Sequence, residues 1–371
     1  MLMPSGRRSS APVPPGPVLK LPPLRASPED ITAITVCTRP FRAQGPRLDV
    51  EQIQGKAVVH NYGHGGSGWS LSWGSGQVAV EKAMATGERE VAVIGCGAIG
   101  LTTALLLQRA GASVTIYSKE LPPDTRSSLA TGVFTPDSRI CFEQYATPAF
   151  RQLWEGMARR SFATLQTFLG LPGAPVEFVD NYFVTDTAEP ARRSLPADDA
   201  RPKFAGLQGE LLADLLPRTL HYDPGSHPFG ARYVRGGPQL IFNLAAYQRR
   251  LLSDFHEAGG RIRSDEFHTP ADFVRVREKT LVNATGYGAR ALLGDESLTP
   301  VRGQLARLIP QPDVHYGLIY RRVAFVPRRD GLVFQVIGDS DYYGFDDATA
   351  VPDRAEAELA VRTIAGLFSS T

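Results

Sequence analysis

Apolar residues run unbroken from Val91 to Ile94, recur at helical spacing from Leu101 to Arg109, and return in a second run from Ser113 to Tyr117. That order predicts a buried strand, an amphipathic helix and a second strand, the beginning of a parallel sheet. Other segments carry their own periods. Ile31 to Thr38 is rich in β-branched residues and predicts a strand, closed by Arg39-Pro40. Side-chain alternation puts Arg39 on the face of Thr35 and Cys37. Val58 to His60 predicts a short strand, and Trp69 to about Met84 a helix that opens with small residues. Helical spacing recurs at Phe150 to Leu169 and at Leu240 to Ala258, and Asp353 to Phe368 predicts a closing helix. Val176 to Thr185 alternates as a strand, and Arg201 to Leu216 reads as strand then helix. Thr280 to Asn283 predicts a buried strand, and Val301 to Ile309, Tyr316 to Val326 and Leu332 to Ile337 predict three antiparallel ones. The fold class that follows is α/β + α+β: a Rossmann-like domain and a second domain with a mixed or antiparallel sheet.

Between the first two elements of the parallel unit lies Gly95-Cys-Gly-Ala-Ile-Gly100. In a strand–turn–helix context each glycine has its own physical role. Gly95 makes the tight turn, Gly97 lets the backbone approach a pyrophosphate, and Gly100 lets helix meet strand. The helix then offers free N–H groups and a partial positive charge to the phosphates, with Ala98 and Ile99 at its opening. A glycine-rich turn without a ligand is the alternative, disfavoured by the two full strands around it. The acid that would bind a ribose is expected about 20 residues beyond the glycines; Glu120, beside Lys119, fits.

The 371 residues carry 40 basic and 38 acidic side chains, a formal charge of +2, which gives no electrostatic case for nucleic acid or an anionic membrane. No run approaches the about 18 apolar residues of a membrane span. Residues 1–30 hold Arg7-Arg8 and prolines at 12, 14, 15, 17, 22, 23 and 28 without an apolar segment, so a disordered Pro-rich arm is expected and a signal peptide is not. Cys37, Cys96 and Cys141 have no metal-ligand or redox spacing, so no metal is expected; a reducing, cytoplasmic location is the default.

Residues from Ile31 to Phe368 resemble the D-amino-acid oxidase family of FAD-dependent oxidoreductases, but in permuted order. Asn61-Tyr-Gly-His-Gly-Gly66 is highly specific to that family, and Leu281 to Arg290 and Pro300 to Gln304 resemble further parts of it. Its usual final segment, like Cys37-Thr-Arg-Pro-Phe-Arg42 followed by Val59 to Trp69, here comes first. The expected structure is therefore a circularly permuted D-amino-acid oxidase-like fold. Its FAD-binding domain would comprise residues 56–145 plus 238–296, and its substrate domain residues 31–55 plus 146–237 plus 297–371.

The resemblance implies FAD as cofactor. It implies that Gly65, Gly66, Gly68, Trp69 and Ser70 meet the flavin's pyrimidine edge, and that Ser127, Ser128 and Gly132 lie in the loop beside it. Thr285 and Gly286 belong to the second strand's turn. Arg39 matches the arginine that binds a substrate carboxylate, Tyr233 a tyrosine that touches it, and the Gly66 carbonyl would accept from the amine. A second active-site tyrosine falls near Phe229 or Tyr222. The implied reaction passes the α-hydrogen of an amine, most simply a D-amino acid, as hydride to flavin N5, with O2 or another electron acceptor reoxidising it. A biosynthetic flavoenzyme for a specialised amine or imine, or a catalytically silent flavin-binding module, stays open, as does an oligomer.

Overall fold

In the computed structural model, residues 18–187, 199–215, 218–230 and 232–368 are described. They build two sheets. The first has the order β2 (Val50–Ile53), β3 (Lys56–His60), β10 (Thr280–Asn283), β4 (Glu90–Ile94), β5 (Ser113–Ser118), β9 (Arg261–Ser264). All are parallel except β2, which forms a hairpin with β3. Burial on both faces explains the continuous apolar runs of β3, β4 and β10. The helices α1 (Gly68–Met84), α2 (Ala98–Arg109) and α5 (Leu244–Glu257) cover it. Trp73, Val93, Leu101, Leu105, Ile116, Tyr247 and Leu251 form the core there, all at most 3% exposed. Inside it the Trp73 indole N–H donates to the Tyr247 hydroxyl at 2.7 Å.

The second sheet runs β1 (Ala33–Arg42), β11 (Leu298–Leu308), β14 (Gly331–Val336), β13 (Val323–Arg328), β12 (Tyr316–Tyr320), β6 (Val176–Thr185), β8 (Tyr233–Phe242), β7 (Leu220–Tyr222). Only β12 and β6 pair in parallel. The strand β1 pairs with β11 over ten residues, Ala33 opposite Arg307 to Arg42 opposite Leu298, across some 260 intervening residues. Helix α7 (Arg354–Ala365) packs on this sheet through Ala357, Ala360, Val361 and Ile364. The Asp353 carboxylate caps it, accepting from the Ala355 and Glu356 N–H groups. Helix α3 (Pro148–Gln166) lies on α1, and the short α4 (Gln208–Leu211) and α6 (Ala289–Leu293) sit in connections.

Several sequence expectations need correction. The arm expected over residues 1–30 is docked from residue 18: Leu24 is buried with Tyr316 and Phe325, the Tyr316 hydroxyl donates to the Pro22 carbonyl at 2.7 Å, and Leu19 N–H donates to the Ser226 carbonyl at 2.7 Å. Proline-rich composition had masked three apolar anchors, Leu19, Leu21 and Leu24; residues 1–17 lie outside the described ones. The boundary at 55/56 falls too late, because β2 belongs to the first sheet. The boundary at 237/238 falls too early, because β8 stays in the second sheet to Phe242. The helix expected from Leu240 starts at Leu244. The strand expected over Tyr316 to Val326 is two, split by Arg321 and Arg322 at φ 41° and 69°. Hairpin turns with two positive φ values normally announce themselves by Asn or Gly, and here neither is present. Of the stretch expected as strand then helix from Arg201 to Leu216, the described residues 201–215 contain one helical turn and no strand beyond an isolated bridge at Phe204.

Candidate active site

A cavity of about 800 Å³ is lined from both sheets. Two helices open onto it. Gly97 caps α2, and Gly95 (φ 107°) turns the chain out of β4. A Cβ on Gly95 would sit 2.7 Å from the Ala284 carbonyl, and one on Gly100 would sit 2.0 Å from the Gly95 carbonyl, so only glycine permits this approach. Gly100 therefore serves packing and does not line the cavity, whereas Gly95, Gly97, Ala98 and Ile99 do. The Ser127 hydroxyl lines the cavity, accepts from Ala98 N–H at 2.9 Å and lies 3.4 Å from Thr125 Oγ1. Gly68, Trp69 and Ser70, the opening of α1, line the same space. Their N–H groups belong to a first helical turn and have no partner within the helix.

The glycine-dense segment before α1 is held as a scaffold. Gly65 N–H donates to the Pro40 carbonyl and Gly66 N–H to the Ser138 carbonyl, both at 2.8 Å. A Cβ at Gly65 (φ 55°) would lie 1.9 Å from the Arg139 carbonyl oxygen. The donors expected from Gly65 and Gly66 are thus engaged by protein, and those at Gly68 to Ser70 remain. The Trp69 indole donates to the Ser127 carbonyl at 2.8 Å, and the Ser70 hydroxyl accepts from Thr135 N–H at 2.8 Å, fixing the loop against α1. Within that loop Gly132 (φ 85°) lies against the Phe242 carbonyl, and the buried Arg328 guanidinium donates to the Ala130 carbonyl at 2.8 Å. Ser128 faces away from the cavity, bonded to Thr125 and Gln248. Lys119 and Glu120 stand at the rim beyond β5, where Lys119 pairs with Glu266 at 3.2 Å. Thr285 and Gly286 close the same end, and the position of a Gly286 Cβ is open space.

Arg39 lies on the other wall. Its guanidinium rests over Gly303, where any Cβ would collide with it at 2.5 Å, and it donates to the Arg302 carbonyl at 3.0 Å. Among the described residues no acidic side chain pairs with it. Gly66 lines the same cavity. Tyr233 does not: it stands 42% exposed at the end of β8, paired across to Thr185. Phe229 is buried among Leu24 and Phe368, and Tyr222 meets Tyr182, so neither candidate for the second tyrosine reaches the cavity. Order along the chain cannot show which end of β8 faces inward.

Instead the second sheet lines the cavity with one cross-strand row: Phe183 on β6 opposite Ile319 on β12, Ile319 opposite Ala324, and Ala324 opposite Gln335 on β14. Asn181 follows two residues along, seated against Gly317. Arg126 reaches Thr38 Oγ1 at 3.2 Å, and the buried Arg139 (φ 51°) donates to the Asp341 carbonyl at 2.6 Å. No sequence motif distinguished these residues. His64 also lines the cavity; burial alone pushes its imidazole down to about 3, so it is neutral, and its Nε2 has no partner among the described residues. Cys96 is buried as expected, its thiol pushed up to about 12 by burial.

The donor set fits FAD. Two helix N-termini and a serine hydroxyl supply N–H and O–H donors for a diphosphate and for the edge of a ring that becomes anionic on reduction, and an acid stands at the rim for a ribose diol. A family model described as FAD dependent oxidoreductase matches residues 90–370. The chain is 27% identical over 290 residues to a D-amino-acid oxidase of Streptomyces coelicolor, spanning 75% of this chain and 77% of that one. It is 28% identical over 287 residues to a D-amino-acid oxidase of Rubrobacter xylanophilus, spanning 74% and 76%. Among solved structures, iminodiacetate oxidase from Chelativorans sp. BNC1 aligns over 76% of this chain and 80% of its own, with a TM-score of 0.48 and 16% identity. The chain thus belongs to the FAD dependent oxidoreductase family, that of the D-amino-acid oxidases, and is an oxidoreductase whose cofactor is FAD.

Proposed function

We propose that this enzyme oxidises the C–N bond of a carboxylate-bearing amine, with a D-amino acid as substrate class and O2 as electron acceptor. The observation that carries this reading is Arg39: a half-buried guanidinium on the cavity wall with a carbonyl for a protein partner and no acid beside it among the described residues. A planar fork of donors in that setting suits a carboxylate, which takes two parallel hydrogen bonds from it. FAD, when bound, accepts the hydride. The chain's own residues orient and enclose. Arg39 holds the carboxylate, the Gly66 carbonyl accepts from the amine, and Phe183, Ile319 and Ala324 keep water from the reacting carbon. Nothing in this scheme asks a side chain to take a proton, and the buried, neutral His64 is consistent with that. Positioning then supplies the rate. The D configuration rests on the relatives that are D-amino-acid oxidases.

An anaerobic screen of D- and L-amino acids for bleaching of the flavin tests the reading. Bleaching by D-amino acids, with peroxide on admission of air, is the expected result. Bleaching by L-amino acids alone would overturn the stereochemistry. A flavin bleached by no amino acid would favour a second reading, a biosynthetic flavoenzyme for a specialised amine. The place of Tyr233 outside the cavity supports that alternative.

We also propose that the chain order is a circular permutation of the family's. Three observations support it. The family match begins at residue 90. Residues before it supply β1 to the sheet of β11. The described ends are neighbours, since Leu19 bonds to Ser226 while Phe368 meets Phe229, three residues on, with ring centroids 5.5 Å apart.

A further inference from the structure

Gln335 is 6% exposed, yet its side chain lines the cavity at the end of the row Phe183, Ile319, Ala324. Its amide is oriented by one bond: the Thr131 hydroxyl donates to Gln335 Oε1 at 2.6 Å. A carboxamide whose oxygen is held in this way turns its NH2, with two donors, in the other direction. Gln335 Nε2 donates to no described residue. The neighbour across the ladder is Ala324, whose single methyl leaves room in front of the amide. The rest of the row is apolar. The amide nitrogen is not shut away from the cavity, so its two donors open onto that space, where an acceptor can meet them.

We infer that Gln335 is a specificity-determining residue. It donates to an oxygen acceptor on the substrate's side chain, a hydroxyl, ether, carbonyl or carboxylate oxygen, while the apolar row takes the carbon chain and Arg39 takes the α-carboxylate. The substrate class is thereby narrowed from D-amino acids in general to those carrying a side-chain oxygen. This rests on the carboxylate-bearing amine reading above. Thr131 is its positioning residue, since it sits in the loop beside the α2 cradle and sets which way the amide faces.

The test uses the FAD-loaded enzyme and two substrates of nearly equal shape, O-methyl-D-serine and D-norvaline, which differ by an oxygen in place of a methylene. Anaerobic flavin bleaching gives a reduction rate and a dissociation constant for each. The oxygen-bearing member should be favoured by about tenfold, the value of one well-made hydrogen bond. Gln335→Met, of similar shape without donors, should bring the ratio to one or below. Gln335→Glu, which replaces the donors with an acceptor, should reverse it. FAD content and the flavin spectrum are recorded for each variant before substrate is added. Equal use of both substrates by the unmodified enzyme, or a preference that survives in Gln335→Met, overturns the inference and leaves the amine reading standing. A variant that changes the resting flavin spectrum or FAD retention while keeping the ratio places the amide against the cofactor, and also overturns it. A flavin that neither substrate nor any other amino acid bleaches overturns the amino-acid reading, and the inference with it.

Discussion

At the scale of single residues, charge and burial set the chemistry. On the proposed reading Arg39, which pairs with no acidic side chain among the described residues, holds the substrate carboxylate. Removing such a partner from a buried charge pair costs about 2–5 kcal/mol, roughly 30-fold to several thousand-fold in binding-linked rate. Arg39→Ala should therefore lower kcat/KM for carboxylate-bearing amines by at least that lower factor while FAD stays bound. An unchanged kcat/KM would place the carboxylate elsewhere. His64 makes a separate prediction about stability. Burial holds its imidazole down to about 3, below the ordinary value of 6.5. Above pH 6.5 both folded and unfolded chains carry it neutral and it has no pH effect. As pH falls from 6.5 towards 3, only the unfolded chain takes up the proton, so stability is lost across that window, on the order of 2 kcal/mol by pH 5. His64→Gln should lose less stability than the parent between pH 7 and pH 5, read from urea midpoints. Equal losses would mean that other groups govern the acid limb.

At the scale of elements, close approach decides what is tolerated. Helices α1 and α3 meet at Gly74, where a Cβ would lie 2.0 Å from the Met157 carbonyl oxygen, while the Ser161 hydroxyl accepts from Gly74 N–H at 2.9 Å. Gly74→Ala must push α3 away from α1 and break that bond. A loss of about 1–3 kcal/mol or more in urea unfolding is expected, and a neutral result would mean that the two helices slide freely. The segment from Val18 to Ala26 is also an element, although it has no regular structure. Leu24→Ala should cost about 2 kcal/mol, at the low end for a buried leucine because the site lies near the surface. A chain beginning at Glu29 should melt below the full chain. An unchanged melting temperature in both would show that this docking adds nothing. The period of two in β6 and the mixed glycine and apolar pattern of β4 and α2 made those elements legible in advance. The hairpin at Arg321-Arg322 was not legible, because its positive φ values are imposed by the strands on either side and carry no glycine.

For the whole molecule, chain order is the testable property. The ten-residue pairing of β1 with β11 makes the first strand part of a sheet otherwise built from residues beyond 175. Phe368 and Leu19 both reach the loop at Ser226 to Phe229, so a few Gly/Ser residues can join them. Opening the chain in the 85–89 link, where Gly87 turns at φ 82°, and placing residues 18–85 after Phe368 through such a linker should give a folded, yellow protein. An insoluble or colourless product would show that the order present here is required for the fold, and would sink the proposed permutation.

The local chemistry was present in the sequence. The glycines at 95, 97 and 100 and at 63 to 68, the apolar strand before them and the arginine before Pro40 follow from spacing or from close family resemblance, because backbone conformation and short-range turns are local properties. Which side chains face the cavity was decided only in three dimensions. The row Phe183, Ile319, Ala324 and Gln335 comes from four strands, β12 to β14 joined by two hairpins and β6 paired in parallel from a distant segment. Tyr233 fell outside because β8 presents its other end to the cavity. Leu24 is buried because a sheet assembled from distant segments offers it a groove. Register and docking are sums over many weak, long-range contacts, and no window of the chain contains them.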